Sequence, residues 1–174
     1  LLTKRISNVL KMWPVMAEAP PPNVWLGASV VNQEEAGRDI PKLLAIPTSK
    51  RFVSYEPALE RIDFRGWLAG DGGNALIVKS KGVVEQGIDW VIIGGESSQG
   101  GAKARPFYLA WARQTIAQCK AAGVACFVKQ LGSTPMETFA PRCDHFISLR
   151  DRAGADPSEW PEDLRVQCFP EAAL

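Results

Sequence analysis

The nine residues DWVIIGGES, at positions 89–97, constrain the fold more than any other stretch of the chain. The short apolar run at 90–93 is bounded by glycine, which predicts a strand buried on both faces. Gly94 and Gly95 permit a sharp turn and a close approach of the backbone to a ligand. Glu96 and Ser97 then follow the carboxyl end of the strand, which is where parallel α/β folds bind their ligands.

The rest of the chain predicts a repeated alternation of strands and helices. Four further strands are predicted, at residues 1–5, 23–31, 51–57 and 124–131. One helix is predicted at 33–40, interrupted by Pro41, and another from Arg105-Pro106 to a C-cap at Gly123. This order implies parallel strands joined by right-handed crossovers. We therefore predict an α/β fold: a partial TIM-like (β/α) barrel of about five parallel strands at 1–132, and an irregular C-terminal extension at 133–174 packed on the same domain.

Length and composition limit the class of protein. The chain has 174 residues, fewer than the roughly 250 of a complete eight-stranded barrel, and it begins without Met, so a trimmed chain is expected. A net charge of +1 makes a nucleic-acid partner unexpected. No long apolar run and no signal-peptide pattern is present, which predicts a cytoplasmic protein without a membrane partner.

Cysteine and histidine usage argues against a local metal site. Cys119, Cys126, Cys143 and Cys168 are widely spaced and form no CxxC motif, so no metal ligand is predicted. His145 is the only histidine and follows no strand of the predicted barrel. A Ser-His-Asp or Cys-His catalytic set is therefore not predicted.

Polar residues recur just after the predicted strands. Because parallel strands end at one rim, these residues would form a cup for a small zwitterionic or anionic ligand. Asn32 has two open interpretations: it caps the following helix together with Glu35, or it contacts the ligand. The glycine-rich segment at 97–103 likewise either binds an anion or is a flexible linker. The predicted rim contains Lys4, Arg5, Ser29, Asn32, Glu56, Gly94, Gly95, Glu96, Ser97, Arg105, Lys129 and Gln130.

Several motifs in sequence order resemble one family. They are TKR (3–5), NVWLGASVVNQ (23–33), RFVSYEPAL (51–59), DWVIIGGES (89–97), ARP (104–106), FVKQLG (127–132) and EWPEDLRVQCFP (159–170). Together they resemble the phage Gp37/Gp68-like family, a largely uncharacterised group also treated as a domain of unknown function. The resemblance implies a radical-SAM-like barrel whose N-terminal cysteine motif, ahead of TKR, is missing from this sequence. Cluster ligation therefore does not carry over to the four cysteines.

The resemblance also implies cofactors, while the roles of the rim residues are assigned from their side-chain chemistry. The implied cofactors are S-adenosylmethionine, cleaved reductively, and a [4Fe–4S] cluster whose ligands this chain lacks. Glu56 and Glu96 would bind ribose hydroxyls or the amino group, and Lys4, Arg5 or Arg105 would bind a carboxylate or phosphate. Lys129 would transfer a proton or contact the substrate, which makes Glu56 and Lys129 the catalytic candidates.

The sequence leaves two alternative functions open. One is a non-catalytic barrel remnant that binds a ligand or partner. Its unpaired sheet edge would favour association with another copy. The other is a metal-independent lyase or isomerase that uses Glu56 and Lys129.

Overall fold

The computed structural model describes residues 1–12, 21, 23–69, 87–98, 102–140 and 143–170. The sequence also predicts a helix that ends at Pro14 and a loop at 70–74. Both of these, and the middle of the segment at 97–103, lie outside the described residues. The strands are β1 (Leu2–Thr3), β2 (Trp25–Ser29), β3 (Lys50–Tyr55), β4 (Trp90–Gly94), β5 (Phe107–Tyr108), β6 (Ala125–Gln130), β7 (Pro135–Ala140) and β8 (Cys143–Phe146). The helices are α1 (Val9–Met12), α2 (Gln33–Leu44) and α3 (Leu109–Ala122), with 3₁₀ turns at Ile6–Asn8, Pro157–Glu159 and Glu162–Leu164.

Five strands form one parallel sheet in the order β1-β2-β3-β4-β6. The strands of this sheet are arranged side by side in chain order, with β5 left out between β4 and β6, as in part of a (β/α) barrel. Helix α2 packs on β2 and β3, and α3 packs on β4 and β6. The α/β class and the five parallel strands are therefore confirmed, and the described strands form an open sheet.

The two faces of this sheet differ, because side chains alternate along each strand. On one face, Val53, Val91 and Val128 are completely buried. The opposite face carries half-buried aromatic rings, and the ring centroid of Trp90 lies 5.8 Å from that of Phe52. Glu56 lies just beyond the end of β3, and by the same alternation its side chain is on this second face. This face therefore reaches the rim at the carboxyl ends of the strands.

Helix α2 is longer than the sequence predicts. Pro41 lies inside the helix, and the prediction that it ends the helix at Ile40 is wrong. A proline at this position removes a hydrogen bond and crowds the carbonyl four residues earlier, which belongs to Gly37. Burial of Ile40 and Leu43 on either side of the proline outweighs that cost, since both side chains are fully buried.

Helix α3 begins later than predicted. The start at Arg105-Pro106 is wrong, because Phe107 and Tyr108 form β5 and pair in parallel with β7. The amide of Phe107 donates to the carbonyl of Thr134 at 2.9 Å, which holds this segment extended. The predicted C-cap is confirmed, since Gly123 has a φ of +67°.

The C-terminal extension is more ordered than the sequence indicates. Strands β7 and β8 form an antiparallel pair, and β5-β7-β8 make a second small sheet. Trp160 and Leu164 are buried in the same core as the parallel sheet. The division of the chain at residue 132 remains a prediction.

The extension also covers one edge of the parallel sheet. The amide of Val128 donates to the carbonyl of Val166 at 2.8 Å, and the amide of Cys168 donates to the carbonyl of Cys126 at 2.9 Å. These bonds satisfy the outer side of β6, which would otherwise offer unpaired backbone groups. The opposite end of the sheet order is the short strand β1, where Leu1 and Leu2 are exposed.

Candidate functional site

A cavity of about 410 Å³ opens at the carboxyl ends of β3, β4 and β6. Its volume lies within the roughly 300–1,000 Å³ that is usual for small-molecule sites. The cavity is lined by Glu56, Pro57, Gly95, Glu96, Ser97, Ala102, Lys103, Ala104, Lys129 and Gln130.

An ion pair between Glu56 and Lys129 lines this cavity. Lys129 Nζ donates to Glu56 Oε1 at 3.0 Å and to Oε2 at 2.9 Å. Glu56 directly follows β3 and Lys129 belongs to β6, and these two strands are separated by β4. Gly94 ends β4 at this level, and a Cβ there would lie 3.2 Å from Glu56 Oε1. The glycine therefore leaves room for the pair to meet across the strand between them.

A second ion pair joins Glu96 to Arg105 at the same cavity. Arg105 Nη2 donates to Glu96 Oε1 at 2.6 Å, and Arg105 Nε donates to Oε2 at 2.8 Å. The backbone amide of Arg105 also donates to Oε2 at 2.8 Å. These hydrogen bonds from Arg105 lower the pKa of Glu96 to about 2, and the carboxylate in turn raises the pKa of Arg105. Glu96 is therefore a fixed anion at neutral pH.

The turn after β4 is held by backbone contacts and by Gln130. Gly95 donates its amide to the carbonyl of Gln130 at 3.0 Å, and a Cβ on Gly95 would lie 2.3 Å from the carbonyl oxygen of Leu131. Gln130 Nε2 donates to the carbonyl of Gly95 at 2.9 Å and to Ser97 Oγ at 3.0 Å. Only glycine fits at position 95, and Gln130 fixes the start of the glycine-rich segment.

The structure brings together most of the predicted rim. Glu56, Gly95, Glu96, Ser97, Lys129 and Gln130 line the cavity, Gly94 lies beneath the Glu56–Lys129 pair, and Arg105 pairs with Glu96. Lys103 also lines the cavity and is an exposed cation that the sequence analysis did not select. Lys103 lies in a polar, glycine-rich segment that follows a strand end, and this position in the sequence is what would have predicted a role at the rim.

Four predicted residues lie elsewhere. Lys4 and Arg5 follow β1, which is three strands or roughly 14 Å across the sheet from β4, and they line a separate groove. Ser29 is in register with Ser54, two residues below Glu56. Asn32 Oδ1 accepts a hydrogen bond from the amide of Glu35 at 2.9 Å. Of the two interpretations of Asn32, the structure therefore shows the helix cap.

The cysteines do not fit a [4Fe–4S] cluster, which takes several thiolates at one place. Cys119 and Cys126 are buried, and Cys143 and Cys168 are exposed on different segments. Among the described residues there is no group of three or more His, Cys, Asp and Glu side chains able to hold a metal ion. No chemical step is therefore assigned to a cluster in this chain.

Comparisons with known proteins identify a family without a known activity. A family model described as "Protein of unknown function (DUF5131)" matches residues 1–156, which include every residue that lines the cavity. Neither a curated protein nor a solved structure matches the chain. No helix in the described part of the chain is long and apolar enough to cross a membrane. The chain belongs to the DUF5131 family of proteins of unknown function.

Proposed function

We propose that the cavity binds a small zwitterionic ligand through exchange of the Glu56–Lys129 ion pair. The observation that carries this proposal is the position of that pair: both side chains line the cavity and meet at 2.9–3.0 Å above Gly94. A ligand ammonium would replace Lys129 on the Glu56 carboxylate. The ligand carboxylate would be bound by the released Lys129 and by Lys103.

The two ion pairs have different roles in this proposal. Lys129 is about half exposed and holds Glu56 through a single ammonium group, so it can rotate away at small cost. Glu96 accepts two hydrogen bonds from the planar guanidinium of Arg105 and a third from its backbone amide, which is a more rigid arrangement. Glu96 therefore serves as a fixed wall of the cavity, and Glu56 is the exchangeable acceptor.

S-adenosylmethionine is the first ligand to test, because it carries an α-ammonium and a carboxylate. The sequence resemblance supports this choice, since it implies a phage-type radical-SAM-like protein. The residues of this chain would bind and orient the cofactor, while a cluster would have to be held outside the described residues. A cavity that binds the ligand without catalysis is the alternative, and the open sheet supports it.

Isothermal titration of the chain with S-adenosylmethionine and with methionine tests the proposal. Glu56→Gln should weaken both ligands by at least about tenfold, which corresponds to roughly 1.4 kcal/mol. Glu34→Gln makes the same change of charge on an exposed residue of α2 and should leave binding unchanged. Absence of binding by both ligands at millimolar concentration, or equal binding by Glu56→Gln, would overturn the proposal. Turnover without iron would favour the lyase or isomerase alternative.

A further inference from the structure

A thiol–imidazole pair lies on β8, away from the cavity. Cys143 Sγ is 3.3 Å from His145 Nε2. The two residues are two positions apart on one strand, so the pleat places both side chains on the same face. Strand β8 is the last strand in the order β5-β7-β8, and all four of its residues are exposed. The pair is therefore open to small molecules in solution.

The neighbouring charged side chains have partners of their own. Asp144 is on the opposite face of β8, where its carboxylate accepts from Thr138 Oγ1 at 2.7 Å and from the hydroxyl of Tyr108 at 3.1 Å. Glu137 is in register with His145 on β7, and its carboxylate accepts from Arg113 Nη1 at 2.7 Å. The bonds of Asp144 join β8 to β5 and β7, and the bond of Glu137 joins β7 to α3.

We propose that Cys143 is a site of reversible thiol modification, with His145 as its proton acceptor. A nucleophile within hydrogen-bond reach of a base is the arrangement that activates a thiol. In the reaction, Cys143 Sγ attacks one sulfur of a low-molecular-weight disulfide, and His145 Nε2 takes the thiol proton. The disulfide bond of the reagent breaks as the mixed disulfide forms, and the leaving thiolate takes up the proton. One thiol and one disulfide give one mixed disulfide and one thiol.

The other cysteines of the chain serve as controls. Cys119 and Cys126 are 0% and 4% exposed, so they should not react in the folded protein. Cys168 is exposed, and the single histidine of the chain is bonded to Cys143 instead. Both exposed cysteines meet the same reagent in the same molecule. A difference between the reaction rates of Cys143 and Cys168 therefore does not come from the reagent, and the imidazole is the feature that the proposal holds responsible.

The test is a time course of the full chain with oxidised glutathione, with each site quantified by peptide mass mapping. A positioned base typically accelerates a reaction by about 10²–10⁴-fold, so Cys143 should react at least about tenfold faster than Cys168. His145→Gln should bring the rate of Cys143 to within about twofold of that of Cys168. The Cys168 rate should not change, and the absence of reaction at the buried Cys119 and Cys126 reports that the variant is folded.

Two outcomes would overturn the proposal. One is equal reaction rates for Cys143 and Cys168 in the unsubstituted chain, a comparison that needs no variant. The other is an unchanged Cys143 rate in His145→Gln, which would show that exposure alone explains the reaction. In Cys143→Ala the fast phase should be absent and only the slow phase of Cys168 should remain.

Discussion

Replacement of Gly94 by alanine should weaken ligand binding while the fold remains stable. A Cβ at this position would lie 3.2 Å from Glu56 Oε1 and 3.4 Å from Gln130 Cγ. Contacts this short require the neighbour to move by a few tenths of an ångström, and the carboxylate ends a flexible side chain. The new methyl group therefore displaces Glu56 from the position in which it meets Lys129.

The stability cost of this substitution should be small. Loss of an ion pair whose lysine is about half exposed costs about 0.2–1 kcal/mol. Replacement of Gly by Ala at a compatible position also lowers the conformational entropy of the unfolded chain, which stabilises the folded state by roughly 0.4–1 kcal/mol. The free energy of unfolding of Gly94→Ala should therefore stay within about 1 kcal/mol of the unsubstituted value, while affinity for the zwitterion falls at least about tenfold.

Gly95→Ala is the matched control, because its Cβ would meet backbone rather than a side-chain end. That Cβ would lie 2.3 Å from the carbonyl oxygen of Leu131, so the turn itself must move. Overpacking of this kind costs about 1–3 kcal/mol or more. Urea denaturation gives the stability of both variants and isothermal titration gives the affinity. Equal destabilisation of the two variants, or full binding by Gly94→Ala, would refute the reasoning.

Three further substitutions test the fold and the electrostatics. Trp160→Ala should destabilise the whole protein by about 3–5 kcal/mol in urea, because this side chain is 1% exposed, and a loss below 1 kcal/mol would show that the extension is not part of the core. Asn32→Ala should cost about 1 kcal/mol through loss of the helix cap, whereas an unchanged unfolding midpoint would exclude the capping role. Because hydrogen bonds from Arg105 lower the pKa of Glu96 from 4.5 to about 2, its contribution to stability is present above pH 4.5 and is lost as the pH falls towards 2. Glu96→Gln should therefore flatten the dependence of unfolding free energy on pH between 4.5 and 2, and an unaltered slope would contradict the assignment.

The strands of the parallel sheet were predictable because their sequences give two independent signals. Apolar runs such as 90–93 indicate burial, and the Gly, Pro or polar residues after them indicate where each strand ends. The rim followed from topology, since parallel strands place their carboxyl ends together. Glu56, Glu96 and Lys129 could therefore be assigned to one site before any distance was known.

The remaining features depend on long-range packing. The pairing of Glu56 with Lys129 depends on the order of the strands, on their register and on the absence of a side chain at Gly94. Local periodicity specifies none of these. Pro41 remains within α2 only because tertiary burial outweighs a local penalty. The distance of Lys4 from the cavity was not predictable, because the sequence indicates where a strand ends but not where that strand lies in the sheet.

The most direct test of the central claim is a titration of the ¹⁵N-labelled chain with S-adenosylmethionine, followed by heteronuclear NMR. The amides of Gly94, Gly95 and Gln130 border the proposed site and should shift together and saturate. The amides of Lys4 and Arg5, which border a separate groove, should stay unchanged. Shifts confined to that groove, or no saturable shift at the three cavity amides up to millimolar ligand, would contradict the proposal that this cavity binds a zwitterion.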